Sequence, residues 1–389
     1  MSTNRILTAG IAAAALISTA SIASAQQYRV RVLMNNVAPE NGTFQTPFWV
    51  GFHDGTFDTY DGGTLASSLP IPGSVALERI SEDGNTGPLM ADFATLAVGR
   101  VDATVPGPNG PLAPGDVASQ SFLLDPNDPR DRYFSYASMI LPSNDGFLAN
   151  GNPLAHMVFD NAGNFVAQDF FISGQNAAND AGTEANDELP FSTAFFGQMA
   201  PNTGVTTSDV IATHPGFNAR GTGGILDSTR HRLGDFTIDN YAFMRVGFRA
   251  APAVTEDRTY GALAIGGLQV PPVASSGIAL TGYALLDQGK SMLVIVQAFG
   301  LADLQMAHLH LAPAGANGPV VVDLLENAVT TVMPGFFLAE IKTGELAGPL
   351  SDFPLDALVN SAEAGNVYVN LHTTANPSGE LRGQLSRLQ

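Results

Sequence analysis

Val367-Tyr-Val-Asn-Leu-His-Thr, then Ala375-Asn-Pro-Ser-Gly, then Glu380-Leu-Arg-Gly-Gln-Leu lies near the C-terminus and sets the grammar of the chain. Apolar Val367, Val369 and Leu371 alternate with Tyr368, Asn370 and His372, the period of a strand with two unlike faces. The five turn-forming residues between the runs predict a β-hairpin. The same grammar appears upstream. His308-Leu-His-Leu-Ala-Pro and Val320-Val-Val-Asp-Leu-Leu flank Ala314-Gly-Ala-Asn-Gly, whose Asn-Gly pair is a hairpin signal. Two further strands are expected over Leu280 to Leu286 and Ser291 to Ala298. Strand, turn and strand at this spacing predict an antiparallel β-sandwich or barrel over residues 277–389.

Working toward the N-terminus, Tyr28, Val30 and Val32 alternate with Arg29 and Arg31, which predicts a half-buried strand. Thr46-Pro-Phe-Trp-Val-Gly-Phe-His-Asp-Gly reads as a second strand closed by an Asp-Gly turn. A short helix is expected within 74–97, and strands over 118–124, 133–141, 157–159, 165–171 and 241–251. Residues 200–235 are polar and Gly-rich, and read as a long excursion of the first domain. Residues 252–276, rich in Gly, Pro, Ala and Ser, read as a linker. The expected architecture is therefore all-β, with a first domain over 28–251 and a second over 277–389.

Residues 1–25 have the parts of a cleavable signal peptide: Arg5, an apolar run from Ile6 to Ile22, and an Ala23-Ser-Ala25 cleavage site. Export to a periplasm or the extracellular space is the expectation. The 17 Lys and Arg against 36 Asp and Glu give a net charge of −19. So acidic a surface repels nucleic acid and anionic membranes and favours cations. The chain has no Cys, which excludes thiol catalysis, disulfides and thiolate metal sites.

Two stretches carry family resemblances. Residues 28 to about 250 resemble the spondin N-terminal domain through Thr46-Pro-Phe-Trp-Val-Gly-Phe-His-Asp-Gly, Ser81-Glu-Asp-Gly, Met139-Ile-Leu-Pro-Ser-Asn-Asp-Gly-Phe and Asn179-Asp-Ala-Gly-Thr-Glu-Ala-Asn-Asp-Glu. That resemblance implies a C2-like antiparallel β-sandwich, a role in matrix or cell-surface contact, and a calcium ion. Asp145 and Asp180 match family ligand positions, and Asp125 falls near a third. Calcium takes hard oxygen ligands from loops, which these turns can supply. The same Asp residues also suit ordinary Asx turns, in which the carboxylate bonds nearby backbone N–H groups. Residues 278 to 387 resemble the CHRD domain, on the Val367 to Leu385 signature and on His308-Leu-His.

His308 and His310 are two apart on an expected strand and share a face, and His372 stands on the face of Tyr368 and Asn370. Three imidazoles from two strands can bind copper or zinc. They can equally hydrogen-bond across strands, with Asn370, Glu380 and Arg382 as partners. The sequence holds no G-x-S-x-G, H-E-x-x-H, P-loop or dinucleotide fingerprint. The expected function is non-enzymatic: an exported, calcium-stabilised protein that binds an extracellular or cell-surface protein or glycan, without inserting into a membrane. The alternative is a copper or zinc protein built on the three histidines.

Overall fold

The computed structural model describes residues 26–388 apart from Ala302 and Pro334. The expected signal peptide, 1–25, lies outside the described residues. Among the described residues, eleven strands precede residue 253: β1 (Tyr28–Asn36), β2 (Phe44–Gln45), β3 (Phe48–His53), β4 (Gly99–Val105), β5 (Val117–Leu124), β6 (Tyr133–Leu141), β7 (Gly146–Ala149), β8 (Asp169–Ser173), β9 (Asn179–Asp180), β10 (Ala212–Thr213) and β11 (Ala242–Pro252). Helices α1 (Ala76–Asp83) and α2 (Gly87–Leu96) fall where the single short helix was expected. Two antiparallel sheets result, ordered β5-β1-β11-β8 and β10-β9-β7-β6-β3-β4, with β2 on β6. The segment 157–159 makes only isolated bridges, at Tyr133–Met157 and Phe159–Phe165.

The two sheets face each other across one core. Val30, Val32, Met34, Val246 and Phe248 from the first pack against Phe48, Val50, Phe52, Phe134 and Ile140 from the second. Strand β3 is buried on both faces. Its other face, with Trp49, joins Leu77, Ile80 and Phe93 of the two helices in a second cluster. Gly51 sits in that layer because an added Cβ would lie 2.6 Å from the Trp49 ring.

The second unit comprises β12 (Thr259–Ile265), β13 (Ile278–Leu286), β14 (Ser291–Phe299), β15 (Leu304–Leu311), β16 (Val320–Asp323), β17 (Ala328–Met333), β18 (Phe336–Lys342), β19 (Val367–Thr373), β20 (Leu381–Gln384) and β21 (Ser386–Arg387), with helix α3 (Leu355–Glu363). All ten strands form one antiparallel sheet ordered β16-β15-β19-β20-β12-β13-β14-β18-β17, with β21 on β12. Alternate residues of nearly every strand enter one cluster, together with Leu355, Leu358 and Val359 of α3. A single sheet can bury one common core only by curling around it, so this unit is a partial barrel closed by a helix.

The segment 252–276 is not a linker. It contains β12, which pairs along its whole length with β13 and also touches β20 and β21. Its small residues, read as flexible, are small because the strand is central: Ala262 and Ala264 pack into the core. Arg29 and Arg31 also differ from expectation, being only 4% and 7% exposed. The face of β1 that alternation assigns to water lies against the second unit. There Arg29 forms a buried ion pair with Asp356 of α3. Asp356 also accepts the Val254 N–H at 2.8 Å. Burial pushes its carboxyl up, and the Arg29 charge pulls it back.

Removing one partner of a buried pair strands the other charge. Asp356→Ala is expected to cost about 3–5 kcal/mol. Calorimetry should show the two units melting apart, and a single unshifted transition would contradict this account.

Candidate metal centre

Strand β15 sets the centre by its period. Ala307 and Leu309 are fully buried in the core, so His308 and His310 stand together on the outward face. β15 pairs with β19, placing His308 opposite Asn370, His310 opposite Tyr368 and Met306 opposite His372. A bulge between β15 and β16 falls at Leu309–His310. Bulges re-aim side chains, and this one lies beside the cluster. One ring nitrogen from each of His308, His310 and His372 lies within 4.8 Å of the other two. The structure thus brings together all three histidines that the sequence nominated.

The hydrogen bonds fix the tautomers. His310 Nδ1 lies 2.9 Å from the Gly318 carbonyl oxygen. His372 Nδ1 lies 3.0 Å from the Pro377 carbonyl oxygen. A carbonyl can only accept, so both Nδ1 atoms carry the proton and both Nε2 atoms of the neutral rings offer a lone pair. His372 Nε2 is 3.2 Å from His308 Nδ1. His310 Nε2 is buried with no hydrogen-bond partner. His308 Nε2 faces the Asp323 carboxylate at 3.6 Å. His372 Nε2 can only accept, so His308 Nδ1 donates across that 3.2 Å contact; an ion that takes the place of this proton leaves it to Nε2, beside the Asp323 carboxylate. Each ring therefore has one nitrogen turned inward and the other beside a protein oxygen, the usual second layer around a metal-ligating histidine.

The surroundings favour the neutral forms of His308 and His310. Burial lowers the pKa of His308, the neighbouring His372 lowers it further, and Asp323 opposes. Burial likewise lowers that of His310, against the Gly318 hydrogen bond. Neutral imidazole is the form that donates to a metal. The His310 ring stacks on Tyr368 at 4.9 Å with a 10° interplanar angle. The Arg382 guanidinium covers the Tyr368 ring at 3.6 Å. Arg382 also donates to the carbonyls of Pro313 and Ala316 at 3.2 and 2.7 Å, pinning the hairpin loop that presents Gly318.

The hydrogen-bond partners considered from sequence are engaged elsewhere. Glu380 accepts from Ser275, Thr373 and Asn376. Asn370 accepts from Gln269. Arg382 serves the 313–317 loop. The groups that do orient the rings are two turn carbonyls and Asp323. Backbone carbonyls carry no residue signature, and only the hairpin turns hinted that chain would fold back there.

The three aspartates divide. Asp145 follows the β6 end and Asp180 lies in β9, where it pairs with Gly146. Asp145 is fully buried. Its Oδ2 accepts from the N–H groups of Thr183 and Glu184 at 2.8 and 3.0 Å. Its Oδ1 is buried and unpartnered, as is Glu184 Oε2. Burial, then the Asp180 charge, pushes Asp145 up to about 7. Burial, then the Glu82 charge, pushes Glu184 to about 7. Asp125 is elsewhere. It follows β5, its N–H donates to Asp131 at 2.7 Å, and its Oδ1 accepts from the Asn127 N–H at 2.9 Å. Strand β6 begins at Tyr133, beside Asp131, and runs nine residues before the Asp145 loop. Asp125 and Asp145 therefore sit at opposite ends of that strand, and Asp125 is an Asx-turn residue rather than a partner of Asp145. The residue that joins Asp145 is Glu184, whose N–H donates to Asp145 and whose carboxylate feels its charge; it lies within the spondin-like Asn179 to Glu188 run but is not among the expected ligands.

The second unit is thus a curled antiparallel sheet that carries an imidazole cluster on its outward face. Residues 260–385 match the family model of the CHRD domain. The match starts at β12, in agreement with the strand found there. No curated protein matches the chain. Among the described residues, no helix is long and apolar enough to cross a membrane.

Proposed function

We propose that this chain is an exported, non-enzymatic binding protein whose CHRD-matching domain holds a transition-metal ion, copper or zinc, on His308, His310 and His372. One observation carries the reading: three imidazole nitrogens converge within 4.8 Å, while the opposite nitrogens of His310 and His372 are tied to carbonyls. Fixing the tautomer with an outer oxygen is how proteins prepare histidines for a metal. The buried, unpartnered Nε2 of His310 gains a partner when an ion binds. Export and a protein or glycan partner belong to the same reading, supported by the acidic charge and the sequence of residues 1–25.

Equilibrium dialysis against Cu(II) or Zn(II), followed by elemental analysis, tests the metal. One ion per chain is expected in wild type. His310→Ala is expected to weaken binding by about tenfold or more. No retained metal in wild type, or unchanged affinity in the variant, refutes the reading.

A second reading, calcium in the spondin-like first unit, is favoured by a separate observation: the unpartnered buried oxygens of Asp145 and Glu184. Both carboxyls have folded pKa values raised to about 7. Without a cation their contribution to stability is full below the unfolded pKa, near 4, and is lost as pH rises toward 7. Calcium compensates only the charged forms. Millimolar calcium is therefore expected to raise the melting temperature more at pH 8 than at pH 5, and Asp145→Asn to abolish the difference. Equal calcium effects at both pH values, in wild type and variant alike, would remove calcium from this site.

A further inference from the structure

The strand that carries the imidazoles reads Met306-Ala-His308-Leu-His310. With Ala307 and Leu309 fully buried inward, Met306 shares the outward face with both histidines. It lies directly opposite His372 across the β15–β19 pair. Directly opposed residues have Cβ atoms about 4.5–5.5 Å apart, and residues two along a strand are separated by roughly 7 Å. Met306 is thus a neighbour of His372 across the sheet and of His308 along the strand. The three rotatable bonds of its side chain allow the sulfur to approach either.

Two features separate Met306 from an ordinary packing methionine. It is 38% exposed, although Ala307 and Leu309, which follow on β15's inward face, are buried. Its surroundings on that face are polar or aromatic: His308, His310, Tyr368, Asn370, His372 and Arg382. The pairing also shifts between Leu304 and Met306. This irregularity, like the bulge at His310, falls at the margin of the cluster and re-aims the side chain next to it.

Resting on the reading that the three histidines hold a metal, we infer that Met306 supplies a thioether as a fourth ligand and that the ion taken is copper in its cuprous state. A thioether is a soft donor that selects Cu(I), whereas zinc at an all-imidazole site gains little from it. Three neutral imidazoles and a neutral sulfur place no anion on the ion, which suits a monovalent charge. The Asp323 carboxylate faces the far nitrogen of His308 and not the cluster. No electron transfer or bond-making step is involved: the role is binding of the cuprous ion.

The test uses the full exported chain, metal-free, in anaerobic titrations with Cu(I) against a colorimetric Cu(I) chelator and with Zn(II) against a zinc indicator. Wild type, Met306→Leu and His310→Ala are compared. Met306→Leu is expected to weaken Cu(I) by about tenfold or more while leaving Zn(II) within about twofold; His310→Ala is expected to weaken both ions. X-ray absorption of the Cu(I)-loaded wild type should show one sulfur scatterer, absent from Met306→Leu. Unchanged Cu(I) affinity in Met306→Leu with no sulfur scatterer in wild type overturns the fourth ligand, and the three-histidine reading survives provided His310→Ala still loses metal. Failure of wild type to bind either ion overturns both. The absorption measurement on wild type alone decides the matter if the variant is poorly folded.

Discussion

The second unit depends on a constraint with a period of two. A strand in this sheet surrenders every other residue to the common core, as Ala307, Leu309, Val367, Val369 and Leu371 do. The intervening residues must then share the outward face, in register with their neighbours. The β15–β19 pairing lines up Met306 with His372, His308 with Asn370 and His310 with Tyr368. A slip of one residue would send the imidazoles into an apolar interior and the valines to water. Core formation and assembly of the histidine cluster are therefore the same event. The turns of the two flanking hairpins complete it, because Gly318 and Pro377 present their carbonyl oxygens to the outer ring nitrogens.

The two units are joined by more than chain continuity. Arg29 and Arg31 project from the sandwich face that would otherwise meet water, and both are buried. Asp356 answers Arg29 from α3 and also holds the backbone at Val254, where the chain enters the second core. Such a pair adds little net stability over an apolar contact of the same shape, yet losing one member is costly. Its effect here is to fix which faces meet.

Ionisable groups are buried in both units by opposite means. His308 and His310 are pushed toward the neutral form, since burial penalises the imidazolium form. The carboxyls of Asp145 and Glu184 are pushed toward neutrality, but each keeps one buried oxygen without a donor. Nitrogen lone pairs in one place and hard carboxylate oxygens in the other suit different cations, soft or borderline in the first and hard in the second.

Alternation and turn residues were enough to read the all-β class, both hairpins of the second unit, strand β6 to the residue, and the shared face of His308 and His310. These are local properties, fixed by the geometry of a strand and the chemistry of Asn, Gly and Pro. The strand inside 252–276 escaped that reading because a central position selects small residues, and small residues resemble a linker when neighbours are unknown. The burial of Arg29 and Arg31, the separation of Asp125 from Asp145 and the arrival of Glu184 beside Asp145 depend on which surfaces meet across long stretches of chain. So do the carbonyls that set the histidine tautomers, which no side chain announces. The order of residues along the chain specifies the strands and the faces their residues share. Tertiary structure decided which faces are covered and which atoms complete each cluster, because burial and hydrogen bonding are settled by neighbours in space and only weakly by neighbours in the chain.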